Sequence, residues 1–366
     1  MEVKGSLPPG TRIDEFEFRR VLGHGGFGLT YLGRDHSLNI PVAIKEYLPV
    51  DLAYRETDFS VGPRTDHARN EFDWGLERFL DEARALARFS HPNLVRVYRF
   101  FNAHGTGYIV MDYIEGETLS DFLDRSGAID EGRLRQLLDP VLDGLEQVHK
   151  GDFLHRDIKP GNIILRRDNG SPVLIDFGAA RHAMGQKSRS VTSIVTPGYA
   201  PIEQYSTRGH QGPWTDIYGL GAVCYRALTG EAPMGATDRL RSDPLTPAAV
   251  AAKDRASPAF LRAIDHALAV DEADRPQSIV EWRQAFPGPA GAAADRGQAA
   301  APAGGGINAA RAAAIVAVLA VLLASAYWSL RSSAPPKPGA ASAESPGAGA
   351  AAAAGSAVIP PGATFR

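Results

Sequence analysis

His155-Arg156-Asp157-Ile158-Lys159-Pro160-Gly161-Asn162, followed fourteen residues later by Asp176-Phe177-Gly178, is the stretch that decides the fold. It is short, polar and acidic, and it lies against apolar runs such as Ile163 to Leu165 and Val173 to Ile175. Buried flanks hold a polar loop still, so its carboxylates take fixed positions. An aspartate followed five residues on by an asparagine, with a second aspartate beyond a short hairpin, brings three oxygen ligands and a lysine around a divalent metal and a phosphate. Phosphoryl transfer needs that set. Asp157 would accept the hydroxyl proton and orient the acceptor, Asn162 and Asp176 would hold Mg²⁺, and Lys159 would offset charge on the moving phosphoryl group.

These residues resemble the catalytic loop and the DFG motif of the protein kinase family. With lysine two residues after the aspartate, they resemble the serine/threonine branch, specifically the eukaryotic-like, membrane-anchored kinases of bacteria. The resemblance implies an α+β fold in two lobes: a small antiparallel, β-rich N-lobe, a mainly helical C-lobe, and ATP in the cleft between them.

Upstream, Gly23, Gly25 and Gly28 stand between two strand-like runs, with Phe27 at the tip. A dinucleotide fingerprint would turn into a helix, but Leu29-Thr30-Tyr31-Leu32 is β-branched and aromatic without a helical period, so a phosphate-covering hairpin is expected. Val42-Ala43-Ile44-Lys45 ends the next strand, and Lys45 matches the kinase lysine that holds the α- and β-phosphates. Its expected partner is Glu82, which shares a helical face with Phe79 and Leu86 and so points inward, where a carboxylate needs a cation. Glu77 and Asp81 lie off that face, and Glu46 points opposite to Lys45 in a strand. The 25 residues from Glu46 to Asn70 exceed a minimal connection. Their KEYLP start resembles insertions in a bacterial subgroup of serine/threonine kinases, and no role follows from it.

The resemblance also assigns Met111 as gatekeeper and Asp112, Tyr113 and Ile114 as the hinge facing adenine, with Ala43 and Ile164 lining the same pocket. It places Thr196 on the substrate side, bonding toward Asp157 and Lys159. Glu203 would pair with Arg275, and Asp216 would anchor the catalytic-loop backbone. His155 would join Phe177, Leu86 and Val97 in an apolar column. The polar run Ala179 to Thr196 reads as an activation segment, with autophosphorylation expected at Ser190, Thr192 or Ser193 and Arg156 poised to pair with the phosphate.

The 366 residues leave room for one domain of about 250 to 280 residues plus extensions. A net charge of -3 excludes a general nucleic-acid binder. The single cysteine, Cys224, forms no intrachain disulfide. Met1 to Gly10 lacks an apolar core, so no cleaved signal peptide is expected. Residues 1–14 read as a flexible lead-in, 15–286 as the kinase domain and 287–311 as a disordered linker. Residues 312–330 are nineteen without a charge, roughly 28 Å as a helix, and read as a single membrane span. Charge at its ends is balanced between Arg311 and Arg331, but ATP must meet the first domain. That domain is therefore expected in the cytoplasm of a bacterium, the span in the inner membrane, and the Ala/Pro/Gly-rich tail 331–366 outside. The expected cofactors are ATP and Mg²⁺, with Mn²⁺ as the alternative ion, and the expected partners are proteins bearing Ser or Thr. A homodimer through the kinase domain or through the span stays open, and so does an ATP-binding pseudokinase scaffold. A small-molecule phosphotransferase would lack the Thr196 to Glu203 segment.

Overall fold

The computed structural model describes residues 3–178, 195–206 and 208–286. Its N-terminal lobe is built on strands β1 (Arg12–Ile13), β2 (Phe16–Gly25), β3 (Gly28–Asp35), β4 (Ile40–Tyr47), β7 (Val97–Ala103) and β8 (Thr106–Asp112). A short hairpin, β5 (Ala53–Arg55) and β6 (Val61–Pro63), lies in the connection between β4 and β7. The main sheet runs in the order β1-β2-β3-β4-β8-β7, every pairing antiparallel. Two-residue periodicity sets its faces. Leu29 and Tyr31 of β3 and Val42 and Ile44 of β4 are buried.

Residues 3–14 are not a flexible lead-in: Leu7 and Ile13 are buried, the Leu7 amide donates to the Tyr31 hydroxyl at 3.1 Å, and β1 pairs with β2. A few apolar side chains in a Gly/Pro-rich stretch suffice to dock it. Helix α1 runs Asp66–Leu86, so the connection expected to reach Asn70 ends at Thr65. Thr65 caps it, accepting from the Ala68 amide at 3.1 Å. The first turn is polar, so periodicity alone cannot see it.

The second lobe holds α2 (Leu119–Ser126), α3 (Glu131–Lys150), α4 (Pro213–Thr229), α5 (Ala248–Ala251), α6 (Pro258–Ala267) and α7 (Ile279–Gln284). In α3 the stripe Leu134, Leu137, Leu138, Val141, Leu142, Leu145 and Val148 is buried, and the helix continues through Pro140. Helix α4 is buried nearly all round and carries Cys224, whose thiol pKa burial pushes up. A small sheet, β9 (Gly116–Thr118), β10 (Ile163–Arg166) and β11 (Pro172–Leu174), takes the order β11-β10-β9. The deciding stretch therefore lies between α3 and β10, framed by a helix and a sheet. Among the described residues no helix is long and apolar enough to cross a membrane. The expected span 312–330, its flanking linker and the tail lie outside the described residues, as does the segment 179–194 with Ser190, Thr192 and Ser193.

Candidate active site

Two buried anchors fix the backbone of the polar loop. Asp216, near the start of α4, accepts from the backbone amides of His155 at 2.9 Å and Arg156 at 2.8 Å, and from His149 Nε2 at 2.8 Å. Burial alone would raise the pKa of this carboxyl, but the hydrogen bonds and charge of His149, with the bond from Arg156, outweigh it and the net shift is downward. His155 is the second anchor. Its Nδ1 accepts the Asp157 amide at 3.2 Å and its Nε2 donates to the Ile175 carbonyl at 3.0 Å, so the proton sits on Nε2. Burial lowers the His155 pKa and keeps the ring neutral, as those two partners require. Its ring lies 4.3 Å from that of Phe177, with Leu86 and Val97 buried. Phe153 continues the same packing 6.1 Å from Phe177, a member that its single aromatic ring gave no reason to pick out.

On this frame Asp157 is 9% exposed, and three neighbours converge on its carboxylate. Asn162 Nδ2 donates to Asp157 Oδ2 at 2.7 Å and to its carbonyl at 2.8 Å. Lys159 Nζ lies 2.9 Å from Oδ2 and 3.1 Å from Oδ1. Lys159 also donates to Thr196 Oγ1 at 3.1 Å, and that hydroxyl is 3.5 Å from Asp157 Oδ1. With its amide nitrogen turned to Asp157, Asn162 has its oxygen free for a different direction. The Ile175 amide donates to the Asn162 carbonyl at 2.9 Å, which holds the DFG strand end beside the loop.

Lys45 lies between two carboxylates. Its Nζ bonds Asp176 Oδ1 closely and stands 4.0 Å from Glu82 Oε1. Glu82 is 3% exposed on the inward face of α1, on the same side as Phe79 and Leu86. Glu46 points the other way, as strand alternation requires. The closer hold of Asp176 on Lys45 is the part sequence reasoning missed: 131 residues separate them, and no local pattern links a strand lysine to a loop aspartate.

Gly23, Gly25 and Gly28 lie in the β2–β3 hairpin, and Phe27 is at its turn. Ala43 pairs in register with Met111 and with Leu32, so the adenine-facing candidates on β4 and β8 are neighbours. Asp112 follows Met111 at the end of β8. Its amide donates to the Arg96 carbonyl at 2.9 Å and its carboxylate takes the Tyr98 hydroxyl, so neither group is idle. Ile114 is buried after it, and Ile164 pairs with Thr118 and Val173 in the small sheet. Asn162 and Asp176 supply hard oxygen donors, the kind Mg²⁺ takes when phosphates and water complete its shell. Among the described residues no group of three or more His, Cys, Asp or Glu is placed to hold a metal by itself.

Comparison with known proteins gives this arrangement its family. The protein kinase domain model matches residues 16–285, so the chain belongs to the protein kinase family. It is similar to serine/threonine-protein kinase PknA of Nostoc sp., 35% identical over 225 residues, covering 58% of this chain and 37% of that protein. It is also similar to serine/threonine-protein kinase C of Synechocystis sp., 31% identical over 284 residues, covering 75% and 50%. The solved structure of PpkA-294 in its apo form is similar at 41% identity and a TM-score of 0.71, over 78% of this chain and all of that one. The chain spans about a third to a half of the length of the curated relatives it matches.

Proposed function

We propose that the chain is a serine/threonine protein kinase that transfers the γ-phosphoryl group of ATP to protein hydroxyls. The observation that carries this reading is the convergence of Lys159, Asn162 and Thr196 on the Asp157 carboxylate. An acceptor hydroxyl placed there meets an oriented proton acceptor, with a lysine beside it for the charge that develops on the phosphoryl oxygens. Lys45 would hold the α/β-phosphates, and Asn162 and Asp176 would hold Mg²⁺, with Mn²⁺ as the alternative. When bound, such an ion would supply positive charge to offset that of the phosphates. The β2–β3 hairpin would cover the phosphates, and Ala43, Met111, Asp112, Ile114 and Ile164 would receive the base.

The regulatory reading rests on Arg156. It is half-buried at φ 67°, its Nε donates to Gln211 at 3.1 Å, and burial lowers its pKa. A half-buried guanidinium gains from an anion, so a phosphate on Ser190, Thr192 or Ser193 would dock against it. The span 312–330 would place the kinase domain on the cytoplasmic side of a bacterial inner membrane, with self-association through the domain or the span. Fractionation checks this: the full chain is expected in the membrane pellet, resistant to carbonate, and a variant ending at residue 300 in the supernatant.

The activity test is transfer of labelled γ-phosphate from ATP-Mg²⁺ to the chain itself and to a basic protein. Label is expected on serine or threonine. Lys45→Met should lower it by about 100-fold, the cost of losing one phosphate-holding charge in a partly buried site. Mapping the label is expected to find Ser190, Thr192 or Ser193. Nucleotide binding without label transfer would put the pseudokinase scaffold in place of this reading.

A further inference from the structure

The segment from Glu46, near the end of β4, to Thr65, the cap of α1, has no role legible in the sequence, and it is tied to the site at both ends. At one end it holds the tip of the phosphate-covering hairpin. The Leu48 amide donates to the Phe27 carbonyl at 3.0 Å and the Val50 amide to the Gly26 carbonyl at 3.3 Å. Gly28 makes the approach close. It sits at φ 155°, and a Cβ there would fall 1.9 Å from the Glu46 carbonyl oxygen.

At the other end the connection holds α1. The Val50 carbonyl accepts from Arg64 Nε at 2.8 Å, the Arg64 amide donates to the Leu52 carbonyl at 2.8 Å, and the next residue, Thr65, is the cap of the helix that carries Glu82. Tyr47 packs between Phe72 and Phe79 of α1, at ring distances of 5.3 and 5.5 Å. The middle is pinned to the back of the sheet. Glu46 is fully buried there and accepts from Tyr31 at 2.8 Å, Tyr108 at 2.6 Å and Arg55 Nη2 at 2.5 Å. Arg55 Nε and Nη1 donate to the carbonyls of Gly5 and Phe59, each at 2.7 Å. A buried carboxylate with one guanidinium and two hydroxyls is satisfied, and it fixes whatever segment carries the guanidinium.

We infer that Glu46–Thr65 is a positioning strap, pinned by Arg55 on Glu46, which holds the glycine hairpin down over the bound nucleotide and ties its tip to the Glu82 helix. A hairpin whose tip carbonyls are hydrogen-bonded cannot lift without breaking those bonds, so the strap contributes to nucleotide retention and not to the transfer step. Arg55, Glu46 and Val50 are then positioning residues, distant from the reacting atoms. The inference rests on the kinase reading for its kinetic form, and hydrogen exchange tests it apart from that reading.

Two variants of the full chain separate the strap from general stability. Val50→Pro deletes one tip bond. Val50 is an exposed residue at the second position of a turn closed by the Leu52 amide on the Pro49 carbonyl at 3.0 Å, a position that proline suits. Arg55→Ala combined with Glu46→Gln removes the pin without stranding a buried charge. Both are expected to quicken amide exchange at Leu48, the remaining donor to the hairpin tip, and to raise the KM for ATP about three- to tenfold with kcat within about twofold, as loss of a hydrogen bond or two in binding alone predicts. Unchanged exchange, unchanged KM, or KM and kcat failing together with a lowered melting temperature would overturn the strap. Should the unmodified chain transfer no phosphate, the kinase reading fails, and the strap is judged by ADP affinity: weaker binding in both variants sustains it, equal binding removes it.

Discussion

Replacing Asp157 by asparagine is expected to lower kcat for phosphoryl transfer by about 1,000-fold, roughly 4 kcal/mol of transition-state stabilisation, while the affinity for ATP stays within a few-fold. The substitution keeps size and planarity, so the frame set by Asp216 and His155 should remain. One oxygen can still accept from Lys159 or Asn162, which stand 2.9 and 2.7 Å from Oδ2. An amide takes no proton, and its NH₂ group faces the donor Lys159 Nζ in either orientation, with Asn162 Nδ2 beside it in one of them. Orientation of the acceptor and proton acceptance are therefore lost together. Nucleotide affinity should survive because Lys45, Glu82 and the glycine hairpin come from other elements. Steady-state rates with single-turnover controls measure this, and melting temperature checks the fold. Transfer within tenfold of the unmodified chain would remove Asp157 from its assigned role.

Residues 155–162 carried most of the site because nearly every partner in it is near in sequence. Asp157, Lys159 and Asn162 fall within six positions, and Asp176 follows across one hairpin, so spacing alone states their chemistry. Glu82 was legible for a different reason: an acid on the apolar face of a helix needs a cation, and a lysine ended an apolar strand. What stayed hidden depends on contacts between remote segments. Arg55 lies in a connection with no periodicity, and nothing local says that its guanidinium enters the back of the sheet to meet Glu46. Leu7 and Ile13 are two apolar residues in a stretch rich in glycine and proline, and their burial depends on a groove that other strands make. The polar first turn of α1 was invisible to hydrophobic periodicity, although Thr65 with Asp66 behind it is a capping signal that could have been used. Motifs thus report chemistry, and the devices that hold them in place are read from the folded chain.

The second large effect concerns stability and comes from a pair far from the nucleotide. Arg275→Met is expected to destabilise the chain by about 3 to 5 kcal/mol, because it leaves Glu203 as a buried charge without its cation. Arg275 and Glu203 are 2% and 3% exposed and bond twice, at 2.8 and 3.1 Å. Thr215 Oγ1 adds a bond to Glu203 at 2.8 Å. The guanidinium also donates to the carbonyls of Ala269 and Val270, each at 2.8 Å, and stacks on Tyr218 at 4.9 Å. Truncation would therefore strand one acid and two carbonyls at once. For a domain of this size the loss corresponds to a fall in melting temperature of roughly 6 to 20 °C. Adding Glu203→Gln to Arg275→Met should recover a substantial part of it, since the stranded charge is gone. Activity should not recover in parallel. The residue after Glu203, Gln204, donates to the carbonyl of Arg156 at 2.7 Å, so the pair holds the segment that buttresses the catalytic loop from below. Calorimetry on both variants, with transfer rates taken well below each melting point, separates the two effects. A fall of less than about 1 kcal/mol for Arg275→Met would mean that water reaches Glu203, and the buried pair could not then be what fixes the loop.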